Sequence, residues 1–346
     1  MKFINSALVV IDNKILLNQI LNYLYKFNFK KIILLKNKNL KISLSLIKKY
    51  NFDLTVLNYK NQKFDYNLIK EKKIFRCLDN KFLLLRTSKF INLNLFDLYK
   101  IFLKNNNKLV ITINKKNKKL DNAEIFFLKK NFLNIYDFSF KNILKNYSYK
   151  INYTNSEYIK IKKNLSKKFI NNFFSKIYSK SIILDRDGVI NVNKGYVGFK
   201  KDFIFNKGAI KAIKYLNDNN YNIFVISNQS GIARGYFTDE DVKRLHDYLR
   251  SILTKNSSFI NKIYYSPYHI DGIIKKYKKK SSCRKPGIKL FKILCSEWCI
   301  KNKNFIIMIG DQKSDMEFAK NAKIKSAFFN SENLYSFTRK LKLKKN

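Results

Sequence analysis

The sequence predicts an α/β protein of two layered domains, each built on a mainly parallel sheet. Three observations carry that prediction. Short apolar runs alternate with amphipathic stretches of helical period in both halves of the 346-residue chain. In the second half each apolar run ends in a polar loop, which is where open parallel sheets place their ligands. The length suffices for two cores, and the 46% hydrophobic content is that of a globular protein. In order, residues 7–11 and 31–35 read as strands around an amphipathic helix at 16–27. A helix over 40–50 should precede a strand at 54–57, and strands at 82–85 and 109–113 should flank a helix near 95–103. The first domain is expected over 1–150. Residues 151–177, rich in Lys and Asn, read as a connecting helix or linker, and 178–346 as the second domain. There the strands are expected at 181–184, 223–226, 262–265 and 305–309, with helices at 209–217, 239–253, 288–298 and 315–321.

No apolar run approaches the roughly 20 residues that a membrane-spanning helix needs. The stretch 1–11 lacks the basic flank, long apolar core and small-residue cleavage site of a leader. A cytoplasmic protein with no membrane partner is expected. The formal charge of +47 invites a nucleic-acid reading, but only 8 of the 71 basic residues are Arg and the Lys are spread along the whole chain. Readers of nucleic acid favour Arg, whose planar fork binds phosphate and guanine through two bonds. The excess reads as codon composition, with Asn, Ile, Phe and Tyr rising alongside Lys, and no nucleic-acid partner is expected. Cys77, Cys283, Cys295 and Cys299 form no disulfide pattern and read as reduced thiols. Cys295 and Cys299, four apart on an expected helix, have the spacing of a metal pair but read more simply as two small apolar residues on one helical face.

The chemistry lies in four clusters, each at the end of a predicted strand or the start of a helix. Asp185-Arg186-Asp187-Gly188-Val189 follows the first strand of the second half. Two carboxylates at i and i+2 on such a turn face one site, and Gly188 lets the backbone turn closely. Like charges at the tip of a buried strand repel, so packing alone does not ask for them. Ser227-Asn228-Gln229-Ser230-Gly231 follows the next strand, Arg284-Lys285-Pro286 opens a helix, and Gly310-Asp311-Gln312-Lys313-Ser314-Asp315 follows residues 305–309. Taken singly, Asp187 is equally a turn former, Ser227 a helix cap and Lys285 one Lys among many. In this order they supply a nucleophile, an acid/base, a hydroxyl, a cation and a third carboxylate, the parts needed to hydrolyse a phosphomonoester.

These four clusters resemble the motifs of the haloacid dehalogenase superfamily. Residues 185–191, 195–197, 227–237 and 283–286 are similar, more narrowly, to the D-glycero-D-manno-heptose 1,7-bisphosphate 7-phosphatases, with histidinol-phosphate phosphatases close relatives. The resemblance covers about 150 residues and implies a Rossmann-like, haloacid dehalogenase-like second domain. Asp185 is then the nucleophile that forms an aspartyl phosphate, and Asp187 the acid and later the base. Ser227 and Lys285 bind the transferring phosphoryl group. Mg²⁺ is implied as cofactor, held by Asp185, the Asp187 carbonyl and Asp311, with Asp315 orienting the site from behind. Asn193, Lys194, Gly195, Tyr196, Asn228, Gln229, Ser230, Arg284 and Gln312 are implied to line a small phosphorylated sugar: heptose bisphosphate first, histidinol phosphate or another sugar phosphate second. The usual structural zinc of these phosphatases is not expected. At its four ligand positions stand Ser266, Tyr268, Ser281 and Cys283, His269 adds at most one nitrogen, and hydroxyls substitute poorly for thiolates. A rival of another class is a noncatalytic basic scaffold for an anionic polymer; intact Asp185 and Asp187 favour catalysis.

In the first half, residues 5–35 and 82–102 resemble sugar-phosphate nucleotidyltransferases, which implies a second Rossmann-like layered domain. Two features of that family are missing. No Gly-rich loop that would cradle nucleotide phosphates precedes Ala7, and Arg86-Thr87-Ser88 stands where a metal-binding Asp belongs. The resemblance implies a degenerate transferase domain kept for stability, oligomerisation or regulation.

Overall fold

A computed structural model describes residues 3–12, 14–43, 50, 52–60, 64, 66–105, 109–114, 121–122, 125–130, 133, 149–154, 156–160 and 166–341. The chain divides into two compact units, Met1–Leu165 and Ser166–Asn346.

In the first unit Ser6–Ile11 (β1) is buried along its whole length, as its unbroken apolar run requires of a strand covered on both faces. A 3-10 turn, Lys14–Leu16, leads into Leu17–Lys26 (α1), then Lys31–Asn37 (β2) and Asp53–Tyr59 (β3). Lys72–Cys77 (α2) precedes Lys81–Arg86 (β4). There follow Lys89–Ile91 (β5), Leu95–Lys104 (α3), Leu109–Asn114 (β6), Asp121–Asn122 (β7) and Ile125–Lys129 (β8). The principal sheet runs β3-β2-β1-β4-β8, parallel except for β8, which pairs antiparallel with β4. The helix expected over 40–50 is absent at residues 40–43, and residues 44–49 lie outside the described ones. The stretch expected to connect the domains is shared between the units. Tyr149–Thr154 (β9) pairs with β6 and Tyr158–Lys160 (β10) with β5, whereas Lys167–Tyr178 (α4) lies in the second unit.

The second unit continues with Ser181–Leu184 (β11), Ala209–Asp218 (α5), Asn222–Asn228 (β12), Asp239–Lys255 (α6) and Lys262–Ser266 (β13). Lys289–Glu297 (α7), Ile306–Gly310 (β14), Lys313–Ala322 (α8), Lys325–Phe328 (β15) and Leu334–Lys340 (α9) complete it. The five strands lie in the order β13-β12-β11-β14-β15, and every pair is parallel. The chain enters at β11 and builds outward in both directions, so the strand order reverses there and a crevice opens beyond the carboxyl ends of β11, β12 and β14. Both units are thus layered, Rossmann-like α/β folds. No described helix is long and apolar enough to cross a membrane.

The opposite, amino ends of these strands are fastened by buried amides. Asn261 accepts from the Ile223 N–H at 2.9 Å and donates to Asn222 Oδ1 at 3.1 Å. Asn222 in turn donates to the carbonyl of Ile177 at 2.8 Å. Asn261→Leu leaves a buried N–H and a buried carbonyl oxygen without partners, and should destabilise the second unit by about 2–3 kcal/mol. The single tryptophan, Trp298, is buried in this unit, so its fluorescence during urea unfolding gives the measurement.

Candidate active site

Asp185 is the first residue past β11, and its N–H bonds to the Ile309 carbonyl of β14 at 2.9 Å. That register places Asp311, the first residue past β14, beside it. Asp315 stands in the first turn of α8 and is fully buried, accepting from the Gln312 N–H at 3.1 Å. Carboxylate oxygens of Asp185, Asp311 and Asp315 all lie within 4.8 Å of one another. The approach depends on two glycines. A Cβ on Gly188, whose φ is +89°, would lie 2.0 Å from Asp311 Oδ2, and one on Gly310 would lie 2.3 Å from the Asp315 Cβ.

Lys285 neutralises much of this charge. Its ammonium sits 2.8 Å from Asp185 Oδ1 and 2.6 Å from Asp315 Oδ1, almost wholly out of solvent. Asn228, at the tip of β12, clips the backbone that carries it: Lys285 N–H donates to Asn228 Oδ1 at 2.9 Å, and Asn228 Nδ2 donates back to the Lys285 carbonyl at 3.3 Å. Burial raises the Asp185 carboxyl to about 6; Lys285 pulls it down, and the Asp315 and Asp187 charges push it up. Burial and the Asp185 charge likewise raise Asp311. Burial works against the Lys285 charge, yet Asp185 and Asp315 outweigh it and hold the ammonium above its ordinary value. Three hard oxygen donors fit a divalent cation, and the orphaned position of Asp311 Oδ1, buried with no hydrogen-bond partner, fits one as well.

Asp187, close enough for its charge to be felt by Asp185, is held by donors of its own. Its carboxylate receives Arg186 through Nε and Nη2 at 2.9–3.1 Å, Asn191 Nδ2 at 2.9 Å and Gln229 Nε2 at 2.7 Å. The same Gln229 nitrogen reaches Ser227 Oγ at 2.8 Å, so Gln229, itself buried, ties the acid/base candidate to the hydroxyl. The other residues expected to line the substrate differ in exposure. Asn193, Lys194, Gly195 and Tyr196 are exposed on the loop after β11, and Asn193 Oδ1 accepts from the Gly195 N–H. Tyr196 packs on Tyr236 with ring centroids 4.6 Å apart. Ser230 is half-buried, and the exposed Gln312 donates to Asp311 Oδ2 at 2.9 Å. Arg284 is half-buried with its Nη1 unpartnered; burial and the nearby Arg234 charge hold it below its ordinary value.

At the positions of the usual zinc ligands, Ser266 is buried with no hydrogen bond to its Oγ, and Ser281 Oγ accepts from the Cys283 N–H. The loop is closed by backbone bonds between His269 and residues 277 and 279. It is tied to the neighbouring turn by the N–H groups of Ile273 and Ile274, both on the Ala233 carbonyl. His269 accepts from Arg234 Nη2 at 3.3 Å. The residues that sequence reasoning passed over are Arg186 and His246. The available signal was His246 on the face of α6 shared with Val242 and Leu249, a polar residue within a mainly apolar stripe.

In the first unit Arg86, the last residue of β4, pairs with Asp12, just past β1, through Nε at 3.0 Å and Nη2 at 2.6 Å. Both line a cavity of about 450 Å³ with Asn37, Asn39, Tyr59 and Phe64. All nine glycines of the chain lie at or after residue 188.

The profile of the polynucleotide kinase 3 phosphatase family matches residues 179–335. A D-glycero-beta-D-manno-heptose-1,7-bisphosphate 7-phosphatase of Rhodopseudomonas palustris is 36% identical over 159 residues, 46% of this chain and 87% of that protein. The crystal structure of D,D-heptose 1.7-bisphosphate phosphatase from B. bronchiseptica, complexed with magnesium and phosphate, is 25% identical with a TM-score of 0.40. It covers 48% of this chain and 88% of its own. The inositol-1-phosphate CTP transferase from T. maritima is 11% identical with a TM-score of 0.38, covering 49% of this chain and 96% of its own. The chain belongs to the heptose-1,7-bisphosphate 7-phosphatase family of haloacid dehalogenase-type phosphatases, and is a phosphoric monoester hydrolase.

Proposed function

We propose that the second unit removes the 7-phosphate of D-glycero-D-manno-heptose 1,7-bisphosphate, with Mg²⁺ as cofactor and Asp185 as nucleophile. The single observation that carries this reading is the convergence of Asp185, Asp311, Asp315 and Lys285 at the tips of adjoining strands. Asp185 attacks phosphorus in line, and the bond from phosphorus to the sugar oxygen breaks. Asp187 gives its proton to the departing oxygen, then takes one from the water that hydrolyses the aspartyl phosphate. Ser227 and Lys285 bind the phosphoryl oxygens as charge develops on them. Asp185, Asp311 and the Asp187 carbonyl would hold the Mg²⁺, which would supply positive charge against the repulsion between a carboxylate nucleophile and an anionic phosphate. The first unit serves this enzyme without nucleotide transfer of its own. That reading is supported by the Asp12–Arg86 pair where the transferase pattern has an acidic metal ligand.

The test is phosphate release from the two heptose bisphosphate anomers, histidinol phosphate and simple sugar phosphates. Heptose bisphosphate should give the highest kcat/KM, and Asp185→Asn should lower it by at least about 10⁴-fold with an unchanged circular dichroism spectrum. Near-normal turnover by that variant would falsify the nucleophile assignment.

With burial raising the Asp185 carboxyl to about 6, its protonation at lower pH removes both a nucleophile and a metal ligand. Activity at limiting Mg²⁺ should therefore fall as pH drops through 6, with the apparent Mg²⁺ affinity weakening about tenfold per unit. Saturating Mg²⁺ should move the fall to lower pH.

With hydroxyls at two of the four zinc positions, and a phenol at a third, stripping the protein of all metal and returning Mg²⁺ alone should restore full activity. Elemental analysis of the active protein should find well under one zinc per chain.

A further inference from the structure

Arg186 has no exposed surface, carries a full charge and stands between the two aspartates of the first motif. Removing such a charge from water costs several kcal/mol, so its place calls for a reason. Its guanidinium forks onto the Asp187 carboxylate through Nε at 3.1 Å and Nη2 at 2.9 Å to each oxygen. Nη2 also donates to the Val197 carbonyl. The remaining arm, Nη1, lies 3.2 Å from His246 Nε2. A guanidinium only donates, so His246 accepts through Nε2 and carries its own proton on Nδ1. His246 is itself buried and edge-on to Tyr265, with ring centroids 5.3 Å apart. The chain His246–Arg186–Asp187 thus runs from the middle of α6 to the carboxylate, while Asn191 and Gln229 hold that carboxylate from its other sides.

We propose that Arg186, oriented by His246, is a positioning residue that aims the Asp187 carboxylate for proton transfer to the leaving-group oxygen. The inference rests on the reading of Asp187 as the acid. A bidentate contact fixes the plane of a carboxylate as well as its place, and an acid that must meet a departing oxygen depends on that plane. Arg186 itself touches no substrate and moves no proton.

The experiment compares kcat/KM for a sugar phosphate, whose alkoxide must be protonated as it leaves, with that for 4-nitrophenyl phosphate, whose phenolate leaves without a proton. Asp187→Asn should lose about 100-fold more on the sugar phosphate than on the aryl phosphate, and Arg186→Gln about tenfold more. His246→Leu removes the acceptor and should follow Arg186→Gln. His246→Gln keeps an acceptor and should return to within about threefold of wild type. Circular dichroism and Trp298 fluorescence identify folded variants, and if Arg186→Gln does not fold, the two His246 variants decide. Equal losses on both substrates for Arg186→Gln and His246→Leu, with Asp187→Asn still discriminating, overturn the proposal and leave the acid assignment standing. If Asp187→Asn does not discriminate, the acid assignment fails and the proposal falls with it.

Discussion

The second unit is organised around one buried ammonium. Asp185, Asp311 and Asp315 bring three carboxylates within 4.8 Å of one another at the end of a hydrophobic sheet. Two like charges at such a distance repel by about 4 kcal/mol at the effective dielectric of a partly buried site. Lys285, between Asp185 and Asp315, makes the arrangement tolerable. It does so only because the surrounding fold carries it there. The parallel register of β11 on β14, with Leu184 opposite Ile309, brings Asp185 and Asp311 out at neighbouring strand ends, and Asn228 at the end of β12 holds the Lys285 backbone at both its N–H and its carbonyl. Three strands and one loop therefore converge on a single positive charge. The residual negative charge and the unpartnered Asp311 oxygen would suit a divalent cation.

The distribution of glycine separates the two units in physical terms. In the second, Gly188 and Gly310 stand where any Cβ would collide with Asp311 or Asp315, so the site exists only because those positions lack a side chain. The first unit meets its need for a left-handed turn after α1 with Asn28, whose φ is +61°. A turn can be made that way. No glycine stands in residues 3–165 of the first unit. Its crevice beyond β1 and β4 contains a paired Arg86 and Asp12.

The loop between β13 and α7 is held by its backbone. Hydroxyls at 266 and 281 bind zinc poorly, and the loop is closed by backbone bonds around His269 and by the grip of the Ala233 carbonyl on two consecutive N–H groups. Arg234 donates to His269 of this loop, and its charge is felt by Arg284.

The interior strands β1, β2, β4, β11, β12 and β14 were legible as apolar runs because both their faces are covered. The strand β15 was not: it is short, begins with Lys325 and lies at a sheet edge mostly exposed. The pair β9 and β10 was hidden in the same way by polar composition within a stretch that reads as linker. For the site, the sequence by itself determined which chemical groups are present and in what order, since carboxylates, a hydroxyl and a cation at successive strand ends have few structural uses. Only the tertiary structure decided how they are joined. Lys285 pairs with an acid 100 positions before it and another 30 after it, and Arg186 reaches a histidine 60 positions away. Such partnerships depend on which strand tips and helix faces the parallel sheet brings to one end, and chain spacing carries no information about that.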